Sequence, residues 1–365
     1  MSDRPLVPEH VERLKPYVPG KPVEELEREL GIRDAVKLAS NESPFGPSPR
    51  AVEAAVAEAA GAHRYPDAST YALRKDLANF HGIEMDELLV GNGSNEIIDL
   101  LCRTFASADD HAVYPHPSFV CYALCTTGAN VPATAVPLVE NVSYDVDALL
   151  AAVRPETKLL FVANPNNPTG AYVPRPELER LLKALPHHVI PVIDEAYAEF
   201  PDASDYVTAL RLRDLHPRVT VLRTFSKAYG LAAFRVGYAI APAELVGYLN
   251  RTRAPFNVNS MAQAAARAAL ADPDHMNRYV ELNRQERSRV TRELAALGLT
   301  VAPSQANFVL VDFGRPGPAV YDALLRKAVI VRPMPPPIDT WQRITVGLPE
   351  ENDRLLAAVR ELLSD

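Results

Sequence analysis

Cysteine is scarce, basic charge runs short, and no long apolar run occurs. Three cysteines in 365 residues, Cys102, Cys121 and Cys125, cannot build the disulfide framework of a secreted scaffold, and none sits in a CxxC pair. They read as buried packing residues. The nine histidines show no HxxxH or comparable spacing, and the adjacent His187 and His188 point in different directions on any regular element, so no metal site is expected. No window approaches 18 uninterrupted apolar residues, which argues against a membrane-spanning helix. The first sixteen residues mix acids with bases, unlike a signal or transit peptide, and the expected location is the cytoplasm. With 38 Lys and Arg against 46 Asp and Glu, the formal charge is −8. A sequence-independent nucleic-acid surface is therefore disfavoured.

What is present is ordinary globular composition, 47% hydrophobic and 23% charged, with neither disorder nor an internal repeat suggested. The length exceeds the roughly 250–300 residues at which a single core stops growing, so a large domain, a smaller one and a cleft between them are expected. Proline, at 33 residues, is about twice its usual share. It clusters at Pro333 and Pro335-Pro336-Pro337, marking stiff loops.

Apolar runs at 88–90, 112–114, 159–163, 189–193, 219–222 and 236–240 alternate with helix-like stretches at 95–105, 176–184 and 244–253. That alternation predicts an α/β fold, a mostly parallel sheet with helical crossovers. Helices at 260–271 and 274–297, then short strands at 308–312, 329–331 and 343–346, predict a second, α+β domain. The expected division is an N-terminal arm with a short helix over 1–32, a large domain over 33–250 and a small domain over 251–365.

Three motifs stand just after predicted strands. They are Ala163-Asn164-Pro165-Asn166-Asn167-Pro168-Thr169-Gly170, Val192-Ile193-Asp194-Glu195-Ala196-Tyr197 and Thr224-Phe225-Ser226-Lys227-Ala228-Tyr229-Gly230, the last followed by Arg235. Taken singly, each has a plain reading: a surface turn, an acid capping a turn, an exposed lysine. Together they would converge on one crevice at the carboxyl ends of neighbouring strands, where ligands bind in open α/β sheets. A fourth, Gly91-Asn92-Gly93-Ser94-Asn95-Glu96, joins a strand to a helix and could take an anion at the helix N-terminus.

On these motifs the chain resembles the fold-type I aminotransferases that use pyridoxal 5'-phosphate (PLP), and within them the histidinol-phosphate aminotransferase subgroup, from about Tyr17 to the C-terminus. The resemblance implies a seven-stranded-type sheet in the large domain, a homodimer and PLP between the domains. Lys227 matches the lysine that carries the cofactor and shuttles the substrate proton. Asp194 matches the carboxylate facing the ring nitrogen, and Asn167 and Tyr197 match the donors to the ring oxygen. Phe119 falls where an aromatic ring stacks on the cofactor, a place where many relatives have tyrosine. Ser94, Asn95, Thr224, Ser226 and Arg235 match the phosphate anchor, and Tyr65 matches the tyrosine that the partner subunit lends to it.

Arg343 matches the arginine that binds the substrate's anionic end, while Arg332 and Tyr17 match groups that the histidinol-phosphate enzymes direct at a substrate phosphate. Two cations and a phenol exceed what a monocarboxylate requires. The resemblance thus implies ping-pong transamination between histidinol phosphate and 2-oxoglutarate or glutamate. Aromatic amino-acid aminotransferases share nearly all of these residues, and the loop from Met334 to Trp341 departs from the usual pattern with its prolines and an added tryptophan. Trp341 would either flank an aromatic substrate or pack over the small domain. A related decarboxylase of a phosphorylated amino acid is a further alternative. A regulatory protein would need an appended DNA-binding region, which is not expected, since the resemblance begins within the first twenty residues.

Overall fold

The computed structural model describes residues 5–16, 20, 25, 28 and 31–364. Its strands, in chain order, are β1 (Val36–Lys37), β2 (Leu88–Gly91), β3 (His111–His116), β4 (Ala133–Pro137), β5 (Thr157–Ala163), β6 (Ile190–Asp194), β7 (Thr220–Thr224), β8 (Gly237–Ile240), β9 (Thr300–Ala302), β10 (Phe308–Asp312), β11 (Val329–Ile330), β12 (Arg332–Pro333) and β13 (Trp341–Thr345). Strands β2 to β8 form one seven-stranded sheet in the order β2-β8-β7-β6-β5-β3-β4. It is parallel from β7 through β4, and β8 runs antiparallel to both of its neighbours.

The central strands are buried on both faces, as a helix-covered parallel sheet requires. Along β5, Leu160 and Val162 pack with Leu178, Leu181 and Ala265 on one face. Leu159, Phe161 and Ala163 pack with Ile97, Leu101 and Leu249 on the other. This period of two, unlike the 3.6 of a helix, is why the apolar run folds as a strand. The crossover helices Gly93–Phe105, Arg175–Ala184 and Ala243–Thr252 begin within two residues of their predicted starts.

The smaller sheet is antiparallel, in the order β12-β13-β10-β9. Two contacts shift the division drawn from sequence. Strand β1 pairs with β11, Val36 opposite Val329, and Val36 and Leu38 are buried with Val309, Ile344 and Leu355 of the small domain. Residues 36–38 therefore pack with the second sheet. Helix Ser260–Leu270, assigned from sequence to the small domain, buries Ala262, Ala265, Ala266 and Ala269 in the same core as Ala51 and Ala55 of helix Pro49–Ala59. Its alanine face allows the close helix packing that pattern alone could not attribute to a partner. Among the described residues no helix is long and apolar enough to cross a membrane, and no cluster of His, Cys, Asp or Glu could hold a metal ion.

Candidate active site

Strands β5, β6 and β7 are parallel neighbours, so the segments leaving their carboxyl ends meet over one opening. There they border a cavity of about 680 Å³, within the range of small-molecule sites. Lys227, Asp194, Tyr197, Asn167 and Phe119 line it, together with Ser94, Asn95, Thr224, Ser226 and Arg235 at one end and Arg332 and Arg343 at another.

Lys227 follows β7 at the base of this space. Its Nζ donates to the Ser40 carbonyl at 3.3 Å and lies 5.8 Å from the centroid of the Tyr197 ring. Burial, then the nearby Arg343 cation, pull its amine down to about 8, so a substantial fraction is neutral and nucleophilic near physiological pH. Asp194 ends β6. Burial pushes its carboxyl up to about 6, against the opposing hydrogen bonds of the Tyr122 phenol and the Ala196 amide. Tyr122 Oη donates to Asp194 Oδ2 at 3.0 Å, and the Ala196 amide donates to Oδ1 at 3.2 Å. Sequence reasoning missed Tyr122, although its place one helical turn beyond Phe119 was a signal that both could face one site.

At the anion end, Gly93 has φ +76°, and a Cβ there would stand 2.7 Å from Arg235 Nη2. Gly237 lies against the same turn, where a Cβ would be 2.7 Å from the Ser94 amide nitrogen. Gly93 thus lets a guanidinium approach the first turn of helix Gly93–Phe105, and Gly237 lets strand β8 lie against that turn. Thr224 Oγ1 donates to Ser226 Oγ at 3.0 Å, which sets two buried hydroxyls side by side. Helix-terminal amides, hydroxyls and a guanidinium around one cradle suit a phosphate dianion. With an acid and a lysine bordering the same cavity, the donor set fits a phosphorylated pyridine aldehyde.

The opposite wall comes from the small domain and the segment that completes it. Arg343 on β13 stands directly opposite Arg332 on β12, and opposed residues of an antiparallel pair share a face. Arg343 donates from Nη1 to Asn167 Oδ1 and from Nη2 to the Ala39 carbonyl, each at 2.6 Å. Asn41 Nδ2 donates to Tyr197 Oη at 3.0 Å, and the Asn41 amide donates to Thr345 Oγ1 at 2.9 Å. The carbonyls and amide of residues 39–41 therefore touch the lysine, the arginine and the tyrosine alike. This segment is part of the site.

Trp341 packs with Met334, Ile338, Ala302 and Leu310 and does not line the cavity. Met334, Pro335 and Ile338 provide its apolar wall beside Arg332. Arg13, Leu14 and Lys15 of the N-terminal segment border it as well, a contribution that no sequence pattern signalled. Tyr65 is 81% exposed and stacks on Phe256 with centroids 4.7 Å apart, away from this chain's own cavity. Tyr17 lies outside the described residues.

Residues 33–359 match the family model of aminotransferase class I and II. The chain is 48% identical over 361 residues to histidinol-phosphate aminotransferase of Anaeromyxobacter sp. (strain Fw109-5), covering 98% of this chain and 99% of that one. It is 45% identical to histidinol-phosphate aminotransferase 2 of Pseudomonas aeruginosa, with 97% and 96% covered. Among solved structures, histidinol-phosphate aminotransferase from Sinorhizobium meliloti in complex with pyridoxal-5'-phosphate superposes with a TM-score of 0.90 at 30% identity, covering 100% of this chain and 99% of that one. Sheet order, cavity and sequence agree, and the chain belongs to the aminotransferase class I and II family.

Proposed function

We propose that this protein is a PLP-dependent aminotransferase that moves an amino group from histidinol phosphate to 2-oxoglutarate. The observation that carries the substrate choice is the pair Arg332 and Arg343, opposed across β12 and β13 on the wall of the cavity that contains Lys227. One guanidinium suffices for a carboxylate, and a second matches a phosphomonoester. Arg13 and Lys15 add positive charge on the same cavity. Relatives with 48% and 45% identity that carry the histidinol-phosphate name support the same choice.

When bound, PLP supplies an aldehyde that condenses with amines and a protonated ring that withdraws the electrons left at the substrate Cα. Lys227 would hold the cofactor, and its amine, once released, would carry the proton lost from the substrate Cα. Asp194 would stand as the counter-charge to the ring nitrogen, Tyr197 and Asn167 would donate to the ring oxygen, and Phe119 would cover one face. Ser94, Asn95, Thr224, Ser226 and Arg235 hold the phosphate, while Arg343 and Arg332 orient the substrate's anionic group so that the Cα proton faces Lys227. Tyr17 joins them at the substrate phosphate in this reading. The active form is a cytoplasmic homodimer in which Tyr65 reaches the cofactor phosphate in the second copy of the chain.

The test is a single-turnover panel on the PLP-loaded protein with L-histidinol phosphate, L-phenylalanine, L-histidine, L-glutamate and O-phospho-L-threonine. Rapid conversion of the cofactor to its amine form by histidinol phosphate supports the reading. Preference for phenylalanine moves the enzyme to the aromatic aminotransferases, and carbon dioxide release without conversion makes it a decarboxylase.

A further inference from the structure

Tyr122 belongs to none of the motifs, yet its side chain is fully buried against the carboxylate at the floor of the site. Its ring stacks on Phe161 with centroids 4.9 Å apart and planes 15° from parallel. The edge of the Phe119 ring meets it at 5.8 Å and 88°. Held from both sides, the phenol has little freedom to turn its hydroxyl away from Asp194 Oδ2, to which it donates at 3.0 Å. The other oxygen takes the Ala196 amide. Each carboxylate oxygen therefore has one donor, from different elements, and Asp194 still borders the cavity.

We propose that Tyr122 is a positioning residue for the cofactor: its phenol orients Asp194 and keeps it ionised, so that the ring nitrogen meets a charge rather than a neutral acid. The inference rests on the reading of the cavity as a PLP site.

A buried carboxyl with no donor takes up a proton, because desolvation penalises the charged form, and a donor to that form works in the opposite direction. The groups that face Asp194 are few. Helix Cys121–Gly128 contributes Tyr122 and Cys121, and Tyr144 stands nearby but donates to the Ala163 carbonyl. Lys227 favours the ionised form, and Glu195 disfavours it. The Glu195 carboxylate is paired with Arg223 at 2.7 Å, and Tyr197 has Asn41 as its partner. Tyr122 is thus the phenol committed to Asp194. Phe119 supports it by edge contact, so the ring expected to cover the cofactor also braces the group that holds its counter-charge.

Tyr122→Phe separates this role from space filling, since phenylalanine keeps both ring contacts and loses only the hydroxyl. The apo-protein is titrated with pyridoxamine phosphate, and with its analogue whose ring nitrogen is replaced by CH, between about pH 5 and 9. The expected result is about tenfold weaker binding of pyridoxamine phosphate near about pH 5, narrowing to about twofold near about pH 7, because the hydrogen bond acts by keeping Asp194 ionised. The acid limb of binding should rise by roughly one pH unit, the same tenfold seen on the proton axis. Binding of the analogue should not change. Unchanged binding of pyridoxamine phosphate, or an equal loss for the analogue, overturns the proposal. If Tyr122→Phe does not fold, 3-fluorotyrosine at this position keeps the shape and strengthens the donor, and an acid limb that fails to move down is the overturning result. Failure of the unaltered chain to bind pyridoxamine phosphate would sink the cofactor reading itself, a distinct outcome.

Discussion

Replacing Gly93 with alanine tests the anion cradle, because two costs arise that can be told apart. The first is conformational: at φ +76°, alanine is roughly 1 kcal/mol worse than glycine. That cost is common to the empty and filled protein, so it lowers the melting temperature by a few degrees at most and leaves affinity alone. The second is steric. The new Cβ would stand 2.7 Å from Arg235 Nη2 and 3.2 Å from its Cζ. These atoms end a flexible side chain, so the guanidinium swings away and the backbone stays. The cradle then loses a charge-assisted hydrogen bond of about 1.5–3 kcal/mol, or roughly tenfold to a hundredfold in dissociation constant. The assay is fluorescence titration of apo Gly93→Ala with pyridoxamine phosphate and with pyridoxamine, which lacks the phosphate. The loss should be confined to the phosphorylated ligand. In an Arg235→Ala background the same change should cost no further affinity, since the two residues act as one. Additive losses, or an equal loss for pyridoxamine, would refute the reasoning.

Other outcomes follow from the same geometry. Lys227→Ala should abolish turnover and the visible absorbance of the lysine-bound cofactor while leaving pyridoxamine phosphate bound, as absorbance spectra and ultrafiltration would reveal. Arg332→Ala should raise KM for histidinol phosphate at least tenfold, the value of one charge-assisted contact, and leave KM for phenylalanine nearly unchanged. Arg343→Ala should lower kcat/KM for both substrates with the cofactor retained. Both pH shifts favour neutral forms, Lys227 lowered to about 8 and Asp194 raised to about 6. The lysine must be neutral and the aspartate ionised, so the rate of apo-protein reconstitution with PLP should climb between pH 6 and 8 and level off above. A stopped-flow profile that falls across that window contradicts the assignment.

The large sheet was legible because parallel strands buried on both faces are written as unbroken apolar runs, and residues at their carboxyl ends announce themselves as polar punctuation. Lys227 and Asp194 could be found in this way. Tyr122 could not, since a buried tyrosine beside other aromatics reads as packing until its hydroxyl is seen against Asp194. The pairing of Val36 with Val329 was equally hidden. A two-residue strand has no period to detect, and its partner lies most of the chain away. Helix Ser260–Leu270 is legible as a helix, but an alanine face reports close packing without reporting the neighbour. Arg13 and Lys15 border the cavity only through the path of the chain.

The pairing of β1 with β11 means that the chain passes from the smaller sheet to the larger one after residue 41 and returns near residue 272. The two passages are fastened together: Ser48 Oγ donates to Asp272 Oδ2 at 2.5 Å, and His275 Nε2 lies 3.2 Å from the Gly46 carbonyl. Arg343 and the Ser40 carbonyl, both on the smaller-sheet side of these passages, bond to Asn167 and Lys227 on the other side, so the width of the opening and the grip on the lysine depend on one shared placement.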